Sequence, residues 1–111
     1  MFLANKIHSD KGGFQEICTN HGVKEIYAFG SSIGNEFNEE TSDVDLIVLL
    51  DEKDPLIKGE KLLSIWDKLE DFFKRKVDIL SDSKINNPFL RKSIDSTKIL
   101  IYDGSKQKIL I

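Results

Sequence analysis

The sequence predicts an α/β domain, and three observations carry that expectation. Short runs of β-branched, aliphatic and aromatic residues recur at Val23 to Phe29, Val44 to Leu50, Val77 to Leu80 and Lys98 to Tyr102, separated by helix-like or polar stretches. The helical stretch after Asp54 carries an apolar stripe too wide to leave in water, and it needs a sheet to cover. The chain of 111 residues, 40% of them hydrophobic, has room for one core and one domain, read as residues 1–111.

Taken in order, Phe14, Ile17, Cys18 and His21 recur at helical spacing and predict a first helix from about Asp10 to Asn20, ended by Gly22. Cys18 and His21 are then ordinary residues at the edge of a core. Val23 to Phe29 reads as a short buried strand that stops at Gly30-Ser31. A polar stretch rich in Asn and Glu follows, with its structure left open, and then Val44 to Leu50, the strongest strand in the chain. Asp54-Pro55 predicts a helix N-cap with proline at the first helical position, where a missing N–H costs nothing.

In the helix that follows, Leu62, Leu63, Ile65, Trp66, Leu69, Phe72 and Phe73 form the apolar stripe. Lys74, Arg75 and Lys76 crowd its C-terminal end, where cations complement the helix dipole. Val77 to Leu80 gives a third strand, Asn87-Pro88 starts another short helix, and Lys98 to Tyr102 gives a fourth strand before Asp103-Gly104 turns the chain. The apolar tail Ile109 to Ile111 either pairs as a last strand or covers a partner.

Several function classes drop out on composition. With 16 basic and 19 acidic side chains the net charge is −3, which argues against a general nucleic-acid binder, since phosphate backbones are held by a surplus of Lys and Arg. Cys18 is the lone cysteine and stands with only two histidines, so neither a disulfide framework nor a zinc-ligand spacing is present. No apolar run approaches the ~20 residues of a membrane span, and the N-terminus lacks a signal-peptide core. The expectation is a cytoplasmic protein without membrane partners.

One constellation carries chemistry. Asp43 and Asp45 lie two apart at the start of the strongest strand, so their carboxylates share a face, about 6.6 Å apart at the backbone. Alone, Asp-x-Asp also marks a solvated strand end. Asp78 lies between Val77 and Ile79 in another strand, and if that strand pairs beside the first, a third carboxylate joins the same face. Three acids make a hard-oxygen site of the kind that takes Mg²⁺ together with substrate phosphates, and two such ions can hold both the attacking and the leaving oxygen of a phosphoryl displacement. Gly30-Ser31 at the end of a buried strand permits close backbone approach and offers N–H and hydroxyl donors to a phosphate, although glycine ends many strands with no ligand at all. The order strand, Gly-Ser, about a dozen residues, Asp-x-Asp on a strand, helix, third Asp on a strand is far rarer than any of its parts.

That order resembles the minimal nucleotidyltransferases of the DNA polymerase β-like superfamily, through Gly30-Ser31, Asp43-Val44-Asp45 and Asp78, with residues 87–104 similar to the family's closing helix and strand. The resemblance implies a polymerase β palm-like fold, with a central mixed sheet of about four strands and helices mainly on one face. It implies ATP as substrate, two Mg²⁺ ions held by Asp43, Asp45 and Asp78 as catalytic residues, and Gly30 and Ser31 placing the β- and γ-phosphates. The chain is similar in particular to stand-alone antitoxins that accompany HEPN-domain toxins, which implies transfer of AMP from ATP onto a toxin tyrosine in a type VII-like pair, and a protein partner in a homo- or hetero-oligomer. The rival readings are an antitoxin that neutralises its partner by contact alone and a small-molecule, aminoglycoside-type transferase. One departure stands out: members commonly carry an arginine soon after Gly-Ser, whereas SSIGNEFNEE contains no basic residue.

Overall fold

The computed structural model describes residues 2–33, 42–80 and 86–111. Its centre is a five-stranded mixed sheet in the order β3-β2-β1-β4-β5, made of β1 (Val23–Ala28), β2 (Val44–Leu50), β3 (Val77–Leu80), β4 (Ile99–Asp103) and β5 (Lys108–Ile109). Only β2 and β3 run parallel, joined by the long helix α3 (Pro55–Phe73), since parallel neighbours require a crossover; the other pairs are antiparallel. The sheet has one strand more than the four expected. The additional strand is the C-terminal tail, which pairs Tyr102 with Ile109 and Asp103 with Lys108 instead of standing off for a partner.

Two helices, not one, open the chain: α1 (Phe2–Ser9) and α2 (Lys11–Asn20). They are split at Asp10, whose carboxylate caps α2 by accepting the Gly13 N–H at 2.9 Å. A start near Asp10 was thus legible, but the eight residues before it lack a cap and were read as no element. α1 is held by burial of Leu3 and Ile7. Gly22, at φ +62°, turns the chain from α2 into β1.

The core lies between one face of the sheet and α1, α2 and α3. Val23, Ile26, Val44, Leu46, Val48, Leu50, Val77, Ile79 and Ile101 meet Leu3, Ile7, Phe14, Cys18, Ile65, Leu69 and Phe73 there. The stripe of α3 is narrower than its sequence implied, because Leu63 is 71% exposed. It stands two residues from Ile65, about 200° around the helix axis, and so faces away from the sheet. α4 (Pro88–Thr97), capped by Asn87 as its Asn-Pro start predicts, returns the chain to β4. Its buried Ile94 lies outside the main core cluster, as does Ile47, which points to the opposite sheet face from Leu46 and Val48. Among the described residues no helix is long and apolar enough to cross a membrane.

Candidate active site

The site is built where β1 ends and β2 and β3 begin. β1 passes through Phe29, whose N–H donates to the Asp45 carbonyl at 3.2 Å, into a 3₁₀ turn at Gly30–Ile33. Gly30 has φ +63°, and a Cβ there would meet Asp45 Oδ2 at 2.8 Å. Glycine is required twice, by the left-handed backbone and by the carboxylate lying against it. Ser32, 1% exposed, turns inward, and its Oγ accepts the Asp45 N–H at 2.8 Å. The strand's key residue is thereby gripped through its backbone, leaving its carboxylate free of that task.

Alternation along β2 sends Val44 and Leu46 into the core and Asp43 and Asp45 to the other face. β3 lies parallel beside it with Val44 level with Val77 and Asp45 level with Asp78, so the third carboxylate stands abreast of the second, one strand away. Four hydrogen bonds hold this register. The Val44 N–H donates to the Lys76 carbonyl at 3.1 Å, and Arg75 Nη1 donates to the Ser42 carbonyl at 3.0 Å. At the first residue of β3, Trp66 Nε1 donates to the Val77 carbonyl at 2.6 Å while the Val77 N–H donates to Glu70 Oε2 at 3.0 Å. Trp66 and Glu70, one turn apart on α3, therefore clamp the residue immediately before Asp78.

The electrostatics follow from the crowding. Partial burial first, and then the neighbouring charges of Asp78 and Asp43, raise the Asp45 carboxyl above its usual range. Lys76 Nζ lies 3.9 Å from Asp43 Oδ2, but its side chain is 69% exposed, so water screens the pair. Half-buried carboxylates that repel one another are hard oxygen donors, the ligand type that divalent cations such as Mg²⁺ take. Among the described residues no group of three or more His, Cys, Asp or Glu side chains is drawn tightly enough together to hold one ion. Asp43 and Asp45 follow one another along the chain and Asp78 stands beside Asp45, an open corner instead of a closed cage.

Gly30, Asp43, Asp45 and Asp78 thus come together. The side chain of Ser31 lies outside what the structure describes, as does the stretch 34–41 that includes Gly34. Sequence reasoning missed Ser32, because nothing in the local pattern shows that its hydroxyl will turn inward to the Asp45 N–H. It also missed the Trp66–Glu70 clamp, which depends on how α3 lies against the sheet edge. The cluster Lys74 to Lys76 was read as a helix-dipole complement. Lys74 does cap α3, in the left-handed conformation, but Arg75 and Lys76 lie past the helix and serve the start of β2 and Asp43.

The sheet thus carries α1, α2 and α3 on one face and the carboxylates of Asp43 and Asp45 on the other. The polymerase β nucleotidyltransferase family model matches residues 14–107. The chain is 38% identical over 87 residues to a Methanocaldococcus jannaschii protein named "putative protein adenylyltransferase", covering 78% of this chain and 85% of that one. The chain therefore belongs to the polymerase β-type nucleotidyltransferase family. Two solved structures share its fold. One is a toxin–antitoxin complex with AMP-PNP, with a TM-score of 0.56, 19% identity, and coverage of 85% of this chain and 73% of the other. The second is a Shewanella oneidensis assembly of a tri-AMPylated HEPN toxin with its MNT antitoxin, with a TM-score of 0.54, 16% identity, and coverage of 96% and 76%.

Proposed function

We propose that this protein is a Mg²⁺-dependent nucleotidyltransferase that moves AMP from ATP onto a tyrosine hydroxyl of a HEPN-type toxin, and so acts as that toxin's antitoxin. The observation that carries the reading is the parallel register that sets Asp78 level with Asp45, one strand from the Gly30 turn. The kinship to an adenylyltransferase-named relative supports the transfer, and the AMPylated toxin in a complex of the same fold supports the acceptor.

Asp43, Asp45 and Asp78 are the residues that would hold Mg²⁺, which supplies charge neutralisation for phosphoryl transfer when bound. The Gly30 turn brings backbone to the triphosphate without a side chain in the way. The acceptor oxygen attacks the α-phosphorus in line; the new O–P bond forms as the bond to the β-phosphate bridging oxygen breaks, and pyrophosphate leaves. Asp78, on the edge strand β3, takes the proton of the attacking hydroxyl.

The test is incubation of the protein with α-labelled ATP, Mg²⁺ and a cognate HEPN protein, followed by mass spectrometry of the toxin. The expected result is a gain of AMP on tyrosine that disappears with Asp43→Asn plus Asp45→Asn, together with loss of toxin neutralisation. Neutralisation that survives the double substitution, with no label on the toxin, would establish the contact-only reading instead. Label found on an aminoglycoside and not on protein would establish the small-molecule reading.

A further inference from the structure

We propose that Lys98 is a substrate-binding residue that takes the β- and γ-phosphates of the triphosphate, supplying the cation that the stretch between Gly30 and Asp43 does not contain. The inference rests on the nucleotidyltransferase reading above and adds to it a residue outside the Gly-Ser and Asp-x-Asp pattern. Charge builds on the leaving pyrophosphate during transfer, and a positioned cation there stabilises it.

The fold places Lys98 on the side of the Gly30 turn away from the acids. β1 is flanked by β2 and β4. Ala28 pairs with Ile99 across the antiparallel β1–β4 ladder, so Lys98, one residue earlier, arrives beside Phe29 and next to Gly30. Asp45 occupies the opposite flank, on β2. The side chain also reaches the correct face. Lys98 Nζ stands 4.5 Å from the centroid of the Tyr27 ring. Tyr27 pairs with Ile47, and Ile47 lies two residues beyond Asp45, so ring and carboxylate share a face. One strand spacing and two residues of rise put their backbones roughly 8 Å apart, within the span of a triphosphate.

Lys98 is also held ready. Its backbone N–H donates to the Ile94 carbonyl at 2.7 Å, its side chain is 23% exposed, and its ammonium pairs with Asp95 Oδ1 at 3.0 Å. Asp95 is shared with Arg91 at 3.3 Å, so Lys98 is not its sole cation. An ammonium has three N–H donors. One serves Asp95 and the Tyr27 ring covers one side of the ammonium, which leaves a donor for a phosphate oxygen. Lys76 stands on the other flank, 3.9 Å from Asp43.

The experiment is a calorimetric titration of the folded protein with Mg²⁺-ATP and with AMP, using wild type, Lys98→Gln, Lys98→Arg and the double variant Asp43→Asn plus Asp45→Asn. A charge-assisted bond to phosphate predicts that Lys98→Gln weakens ATP binding by about tenfold or more while AMP affinity stays within about twofold, and that Lys98→Arg retains most of the ATP affinity. The nearly isosteric Gln and the charge-preserving Arg keep the comparison on folded proteins. If Lys98→Gln binds ATP like wild type while the double variant does not, the role of Lys98 is overturned and the transferase reading stands. Equal losses for ATP and AMP would also overturn it, since they would mark general damage to the site. If wild type itself takes up no Mg²⁺-ATP, the transferase reading fails and Lys98 falls with it.

Discussion

At Gly30 and Asp45 two demands meet in a few ångströms, a left-handed backbone and a carboxylate that leaves no space for a methyl group. Gly30→Ala is expected to cost about 1–3 kcal/mol in chemical denaturation, from the positive φ and the displaced carboxylate together, and to abolish the thermal shift given by Mg²⁺-ATP. Asp45 has the opposite sign. Its carboxyl is raised in the folded state, so the folded protein binds more protons than the unfolded chain between the unfolded and folded values. In metal-free buffer its effect is to lower stability as pH rises through that window, with the full penalty above it. Asp45→Asn is therefore expected to raise the midpoint of thermal unfolding in EDTA at pH 7 and to leave it unchanged below about pH 3.5, where the unfolded chain is also protonated. A lower midpoint at pH 7 would show that the carboxylate is stabilised by partners instead.

Among the elements, β3 depends most on a neighbour. It is four residues long and lies at the edge of the sheet, and its first residue is fastened by Trp66 and Glu70 of α3. Short edge strands slip or fray unless something covers them. Glu70→Ala leaves the Val77 N–H without its carboxylate, at an expected cost of about 1–3 kcal/mol. Hydrogen exchange at the Val77 amide should accelerate by a larger factor than exchange in β1, and Glu70→Gln, which keeps an acceptor oxygen, should restore most of the protection. If exchange at Val77 is unaffected by Glu70→Ala, the clamp contributes nothing to the register that sets Asp78 beside Asp45.

Over the whole molecule a single core joins α1, α2 and α3 to the sheet, so damage anywhere in it should be felt everywhere. Leu69→Ala, at a fully buried position, is expected to lower global stability by about 2–5 kcal/mol in one cooperative transition. Cys18 reports the same property from within. Its thiol is fully buried, and burial pushes it up to about 12, so the reactive thiolate is scarce in the native protein. Alkylation by iodoacetamide at pH 8 should proceed only through opening of the fold, and Leu69→Ala should speed it about tenfold for each ~1.4 kcal/mol of stability lost. Fast alkylation of the native protein would mean that α2 opens independently of the core.

Local chemistry determined much of this protein without any coordinates. Caps such as Asp54-Pro55 and Asn87-Pro88, the β-branched runs of β2 and β3, and the two-residue spacing of Asp43 and Asp45 are properties of neighbouring residues, and they were legible because short-range sterics and hydrogen bonding set them. Tertiary structure alone decided which strands lie side by side, and therefore that Asp78 stands level with Asp45, that Ser32 turns inward to the Asp45 N–H, that Trp66 and Glu70 fasten β3, and that Lys98 comes to rest over Tyr27. Those relations join residues far apart in the chain through the pairing of the strands and the packing of α3 against them. No local pattern encodes them, because their energy exists only once the core has closed.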